Sequence, residues 1–208
     1  MSFRLDSPLR RVQTARKAVI IAAILLGVVF LFVGVSRWPT GSLVHETLEW
    51  VGVGLIIFCI VGRTWCSLYI GGRKVAELVT DGPYSVTRNP LYLFSILGAA
   101  GVGAQLGSLM LTLAAGAVAW LVFYLVVLKE EEFLASKFGT AFAEYRARVP
   151  RFMLRLSMWR DVKTLSVQPR VVTMTFVDAC IFLVSIPIAE AFEYLHDAGI
   201  LRAWFELP

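Results

Sequence analysis

Five stretches of this chain are long and apolar enough to leave water. They fall at about residues 18–36, 43–62, 91–107, 108–128 and 171–195, and roughly 20 consecutive apolar residues suffice to cross the hydrocarbon of a bilayer. Inside lipid a backbone must satisfy its own polar groups, so these runs are expected to be helices. With 58% hydrophobic and 17% charged residues, the chain lies far from the roughly 45–50% apolar and 25% charged make-up of a soluble domain. The expectation is an all-α integral membrane protein with about five transmembrane helices and interfacial helices. The third run is marginal in length and rich in glycine.

Charge placement orients these spans. Arg10, Arg11, Arg16 and Lys17 precede the first run, which lacks a small-residue cleavage site and ends in Ser36-Arg37-Trp38-Pro39, so it reads as a retained span. An inside N-terminus leaves 18 of the 20 Lys and Arg residues on one face, with only Arg37 and Arg202 outside. The positive-inside rule then puts the N-terminus and the two large polar segments in the cytoplasm and the C-terminus outside, as in a bacterial inner (plasma) membrane. The net charge of +5 follows from this topology and from attraction to anionic membrane lipids; no nucleic-acid partner is implied.

Several chemistries find no support. Cys59, Cys66 and Cys180 lie in or near apolar runs without metal-ligand spacing, which suits reduced packing residues. His45 and His196 stand near opposite ends of the sequence, an argument against a zinc site, and no metal is expected. No GxxxxGK[ST], HExxH or GxSxG motif occurs. Gly101, Gly103 and Gly107 miss the dinucleotide-binding spacing and read as close helix packing through small residues.

The chain divides into a basic tail and transmembrane hairpin over residues 1–62, a core over 63–152, and a third part over 153–208. In the last part, Leu154, Met158, Val162 and Leu165 recur at helical spacing, which predicts a helix on the inner membrane surface. Asp178 lies inside the final span. An acid there is either functional or a contact to another helix or a second subunit, which leaves a homo-oligomer open. Pro187 predicts a kink, and Ile200, Leu201, Trp204 and Phe205 predict a short outer anchor.

The core holds the candidate site. A turn-rich stretch, Asp81-Gly82-Pro83-Tyr84-Ser85-Val86-Thr87-Arg88-Asn89-Pro90-Leu91-Tyr92, precedes the third run, and Glu130-Glu131-Glu132 follows the fourth. The short link at Gly107-Ser108 makes these two runs antiparallel neighbours and returns the acids to the level of Asn89. Three adjacent carboxylates at a membrane edge repel one another and call for a cation. Asn89 and Pro90 suit an N-cap and first helical position, and a helix N-terminus flanked by Tyr84 and Tyr92 could receive a ligand carrying both carboxylate and cation. Glu132 reads as a solvated neighbour.

Gly82-Pro83-Tyr84, Arg88-Asn89-Pro90-Leu91-Tyr92, Glu130-Glu131 with Leu134 and Phe138-Gly139, then Tyr145 and Val149-Pro150-Arg151-Phe152 occur in that order. As an ordered set they resemble the isoprenylcysteine carboxyl methyltransferase family, within the membrane methyltransferases that include phospholipid N-methyltransferases. The resemblance covers about residues 60–152. It implies a cytoplasmic cofactor pocket, no Rossmann domain, and S-adenosylmethionine as cofactor, held by Ala76, Glu77, Leu78, Val79, Tyr84, Asn89, Pro90, Leu91, Tyr92 and Glu130, with Arg88, Leu93 and Glu131 as neighbours. Glu131 joins Arg148 and Arg151 as candidate catalytic residues, either arginine orienting an anionic acceptor or closing a lid. The implied substrate is a lipophilic molecule or a prenylated or lipid acceptor entering from the bilayer.

Two positions depart from the family pattern. Asn89 stands where His is common, and Val126 stands where the eukaryotic prenylcysteine enzymes carry a substrate-linked Arg. The methyl acceptor, whether carboxylate, amine or thiol, is therefore open. The competing readings are a membrane reductase of sterol-reductase type using NADPH and a non-catalytic membrane scaffold.

Overall fold

The computed structural model describes residues 34–73 and 76–208 together with Gly27, Leu31 and Phe32. The basic tail and most of the first apolar run lie outside the described residues. The elements in order are β1 (Gly34–Ser36), α1 (Leu43–Ile70), α2 (Pro83–Val86), α3 (Pro90–Ala104), α4 (Leu109–Arg148), a 3-10 turn (Leu156–Met158), α5 (Pro169–Cys180), a second 3-10 turn (Ile181–Val184), α6 (Ser185–Asp197) and β2 (Phe205–Leu207).

Three described helical stretches are long and apolar enough to cross a membrane: Leu43–Ile70, Leu109–Arg148 and Pro169–Asp197. α3 is apolar but only 15 residues long, about 22 Å at 1.5 Å per residue and short of a full hydrocarbon crossing. The outward faces carry Val51, Ile57, Phe58, Leu113, Leu121, Leu125, Val177 and Ile181, all exposed. In water such a surface would drive association; against lipid it has no such cost.

Small residues bring α1 and α3 together. A Cβ added to Gly101 would stand 2.8 Å from the Gly52 carbonyl oxygen, and one added to Gly52 would stand 2.8 Å from that of Gly101. The glycines of α3 are thus used for close helix approach. α4 turns back beside α3 after Ser108, whose side chain accepts from the Leu111 amide as an N-cap. α5 and the following turn pack on α1 through Ile56, Ile60, Ala179 and Phe182. The break at Ile181–Val184 falls one turn before Pro187, whose ring crowds the carbonyl four residues earlier.

Four expectations are corrected. α1 runs on past residue 62 to Ile70 and carries Arg63 inside the helix, its guanidinium donating to Ser95 on α3. The end of the first apolar run is not helical: Gly34–Ser36 pairs in parallel with Phe205–Leu207, so the outer anchor is partly a strand. Residues 153–165 form no interfacial helix beyond the single turn Leu156–Met158. Their backbone is drawn into pairing with the turn before α3, the Arg155 amide donating to the Val86 carbonyl at 3.0 Å and the Gly82 amide to the Arg160 carbonyl at 2.7 Å. Asn89 makes no side-chain cap; its amide bonds elsewhere.

Candidate active site

The site is assembled at the start of α3 by three segments: the turn over residues 76–89, the middle of α4, and the chain just after α4. Pro83 opens the short α2 and Pro90 occupies the first helical position of α3, where a missing amide hydrogen costs nothing. Gly82 has φ 57° and ψ −131°, a region essentially closed to residues with a Cβ. An added Cβ would also run into the ring of Tyr69.

α4 is two helices joined at Gly139, which has φ 52° and ψ −121°. The bend turns Phe142, Tyr145 and Val149 inward, where they pack with Leu134, Phe138, Met158 and Leu78 from the turn. From there the Tyr145 hydroxyl donates to the Tyr84 carbonyl at 2.7 Å. The chain beyond α4 then closes over the start of α3. The Arg88 amide donates to the Pro150 carbonyl at 2.9 Å, and Asn89 Nδ2 donates to the Arg151 carbonyl at 3.1 Å.

The three acids part company because successive residues point about 100° apart around a helix. Glu130 accepts from the Tyr92 hydroxyl at 2.9 Å. Glu131 is buried between two arginines: Arg88 Nη2 lies 3.0 Å from Oε1 and Arg151 Nη2 lies 2.8 Å from Oε2. Glu132 is exposed and pairs with Lys129 at 2.8 Å. Arg88 also donates through Nη1 to the carbonyls of Arg146 at 2.8 Å and Val149 at 2.9 Å, so it fastens the end of α4 as well.

Burial pushes the Tyr84 phenol well above its ordinary pKa, and Cys66, Tyr145, Tyr92 and Glu130 act in the same direction. It is a neutral donor. Its hydroxyl is buried without a hydrogen-bond partner, a state that costs about 1–3 kcal/mol unless a ligand supplies an acceptor. For Arg151, the hydrogen bond to Glu131 raises the pKa further, against the smaller effect of desolvation. Its guanidinium also lies 5.5 Å from the Tyr124 ring centroid.

The remaining candidates fall in different places. Ala76 and Glu77 are exposed, with Glu77 paired to Arg73 at 2.8 Å. Leu78 packs on the Tyr145 cluster, while Val79 and Leu91 pack with Tyr84, Cys66 and Tyr69. Leu93 is half-buried, and Pro90 is buried. Arg148 is exposed at the end of α4, so the structure gathers Arg151 but not Arg148 around Glu131. Sequence reading missed Arg63, Tyr124 and Asp161, the last accepting from the Tyr69 hydroxyl at 2.9 Å. Arg63 carried a signal, a cation between Cys59 and Cys66 on a helical register.

A helical body with apolar outward faces, polar groups gathered at one helix start, and only two three-residue strands among the described residues defines the class of an integral membrane protein with a polar site at one helix end. The comparisons then specify the family. The profile of the phospholipid methyltransferase family matches residues 50–141. The cobalt-zinc-cadmium resistance protein CzcN of Cupriavidus metallidurans is 39% identical over 203 residues, covering 98% of this chain and 92% of the relative. The nickel-cobalt-cadmium resistance protein NccN of Alcaligenes xylosoxydans xylosoxydans is 35% identical over 98% of this chain and 93% of its own length. A protein-S-isoprenylcysteine O-methyltransferase of Schizosaccharomyces pombe is 38% identical over 73 residues, 35% of this chain and 31% of the relative. No solved structure matches significantly. The chain belongs to the phospholipid methyltransferase family, which places it among integral membrane proteins of methyltransferase type.

Proposed function

We propose that this protein transfers a methyl group from S-adenosylmethionine to a lipophilic acceptor at the cytoplasmic face of a bacterial inner membrane. The observation that carries the reading is the convergence of Tyr84, Asn89, Tyr92 and Glu130 on the start of α3 within the matched region. The residues present fit the cofactor. The buried Tyr84 hydroxyl lacks a partner, the start of α3 turns the positive end of a helix dipole toward a carboxylate, and Glu130 offers negative charge to a cation.

When bound, S-adenosylmethionine supplies a methyl already activated by its sulfonium. The protein's task is then positioning and exclusion of water, and alignment alone is worth up to about 7–11 kcal/mol of barrier. Tyr92 orients the Glu130 carboxylate, and Glu131 with Arg88 and Arg151 holds the segment after α4 against the start of α3. Because its carboxylate is engaged on both oxygens, Glu131 serves as a tether. Arg148, exposed at the same end, is free to meet an anionic headgroup or acceptor.

A carboxylate acceptor needs no base, whereas an amine or thiol must lose a proton. Tyr84 is held neutral, which leaves Glu130 or solvent for that step. The full-length similarity to relatives named for metal resistance supports a setting in heavy-metal resistance. The test is transfer of labelled methyl from S-adenosylmethionine into a total lipid and prenyl-peptide extract by the purified protein. Label should appear in one lipophilic product and be lost with Glu130→Gln; no transfer to any extract fraction would count against the reading.

A further inference from the structure

At the other end of the spans, His45 lies near the start of α1 with 2% of its surface exposed. Its Nδ1 is 3.2 Å from the Trp38 carbonyl oxygen. A carbonyl only accepts, so Nδ1 carries the hydrogen, and in the neutral ring Nε2 presents a lone pair. That lone pair faces two further acceptors, Glu193 Oε1 at 3.0 Å and Glu49 Oε1 at 3.3 Å. Three electron-pair donors pointed at one another need a proton or a metal ion among them.

The second histidine repeats the arrangement. His196 Nε2 lies 2.9 Å from the Leu31 carbonyl oxygen, which fixes the hydrogen there, while Nδ1 is buried with no partner. His45, Glu193, His196 and Asp197 line one cavity of about 400 Å³. The distance between the histidines in sequence, which argued against a metal site, does not hold in space. Histidines that bind metals commonly donate their other ring hydrogen to a carbonyl or carboxylate, which fixes both tautomer and aim.

We propose that His45, Glu49 and Glu193 bind a divalent transition ion of the zinc type, with His196 lining the access cavity. The ligand atoms of the three residues all lie within 4.8 Å of one another. Around a tetrahedral ion with bonds of about 2.0–2.1 Å, ligand atoms stand about 3.4 Å apart, so little movement is needed. One imidazole and two carboxylates suit zinc or cobalt better than calcium, which takes six to eight oxygens. Three protein ligands leave a fourth position for water or another ligand, and two of the three, His45 and Glu193, also line the cavity. From His45 to Tyr69 along α1 is about 36 Å at 1.5 Å per residue, so this site is separate from the methyl-transfer reading and does not depend on it.

The test uses metal-stripped, detergent-purified full chain titrated with Co²⁺ and read by visible absorption, then displaced with Zn²⁺. One ion per chain is expected. Glu193→Gln and His45→Gln should each weaken binding by more than about 100-fold, beyond what loss of an outer partner does. Glu49→Gln should weaken it while leaving S-adenosylhomocysteine binding unchanged, which separates failure here from failure of the methyltransferase reading. X-ray absorption of the zinc-loaded wild type reads the site without any variant and should show imidazole and carboxylate with no sulfur. Substoichiometric uptake, sulfur ligation by the cysteines, or unchanged affinity in Glu193→Gln would overturn the proposal and leave the cluster as a proton-sharing contact between α1 and α6.

Discussion

Arg151 reaches back 20 residues to grip Glu131, with Nε 3.2 Å from both carboxylate oxygens and Nη2 2.8 Å from Oε2. The contact turns the chain after α4 into a strap across the start of α3. Arg88 shares the same carboxylate, so one buried acid joins three segments that are far apart in sequence.

Removing that acid should be costly. Glu131→Ala leaves two arginines facing each other without compensation, and breaking a buried pair typically costs about 3–5 kcal/mol. Thermal unfolding in detergent should show a large drop in midpoint. Combining Glu131→Ala with Arg151→Met should recover part of it; strict additivity of the two changes would deny the coupling.

The bend at Gly139 is a second point of sensitivity. Any residue with a Cβ is strained at φ 52° and ψ −121°, by about 1–3 kcal/mol. No atom stands within 4 Å of an added Cβ, so backbone strain is the whole effect. Gly139→Ala should therefore loosen the Phe142 and Tyr145 packing, read as faster hydrogen exchange over residues 140–149. Unchanged exchange would mean the bend is not required.

Tyr84 gives a pH dependence with a definite sign. Its folded pKa is raised, so its contribution to stability is complete below the unfolded value of about 10 and is lost as pH rises above it. Thermal midpoints measured between about pH 9 and 11 should fall more steeply in wild type than in Tyr84→Phe. Parallel curves would show that Tyr84 does not hold its proton on folding.

Much of this was legible beforehand, for reasons that can be named. Apolar length marked α1, α4 and the final helices, because lipid demands it, and Ser108 and Pro90 marked helix starts through backbone chemistry that is local. The opposition of the tyrosine-rich turn to the acidic run followed from the short link between α3 and α4. What local pattern could not reveal was pairing at long range. Residues 153–165 have helical spacing, yet their amides and carbonyls bond to Gly82 and Val86. Asn89 looks like a cap, yet it serves Arg151. His45 meets Glu193 across 148 residues, a contact made only when α6 folds back on α1.

The central claim is that the start of α3 and Glu130 hold S-adenosylmethionine, and its most direct test is calorimetric titration of the folded, detergent-purified protein with S-adenosylhomocysteine, with NADPH as comparison. One site per chain is predicted for the first ligand and none for the second. Glu130→Gln should weaken binding by about 10- to 100-fold, the loss of one charge-assisted hydrogen bond. No heat with S-adenosylhomocysteine, or equal affinity in Glu130→Gln, would contradict the account.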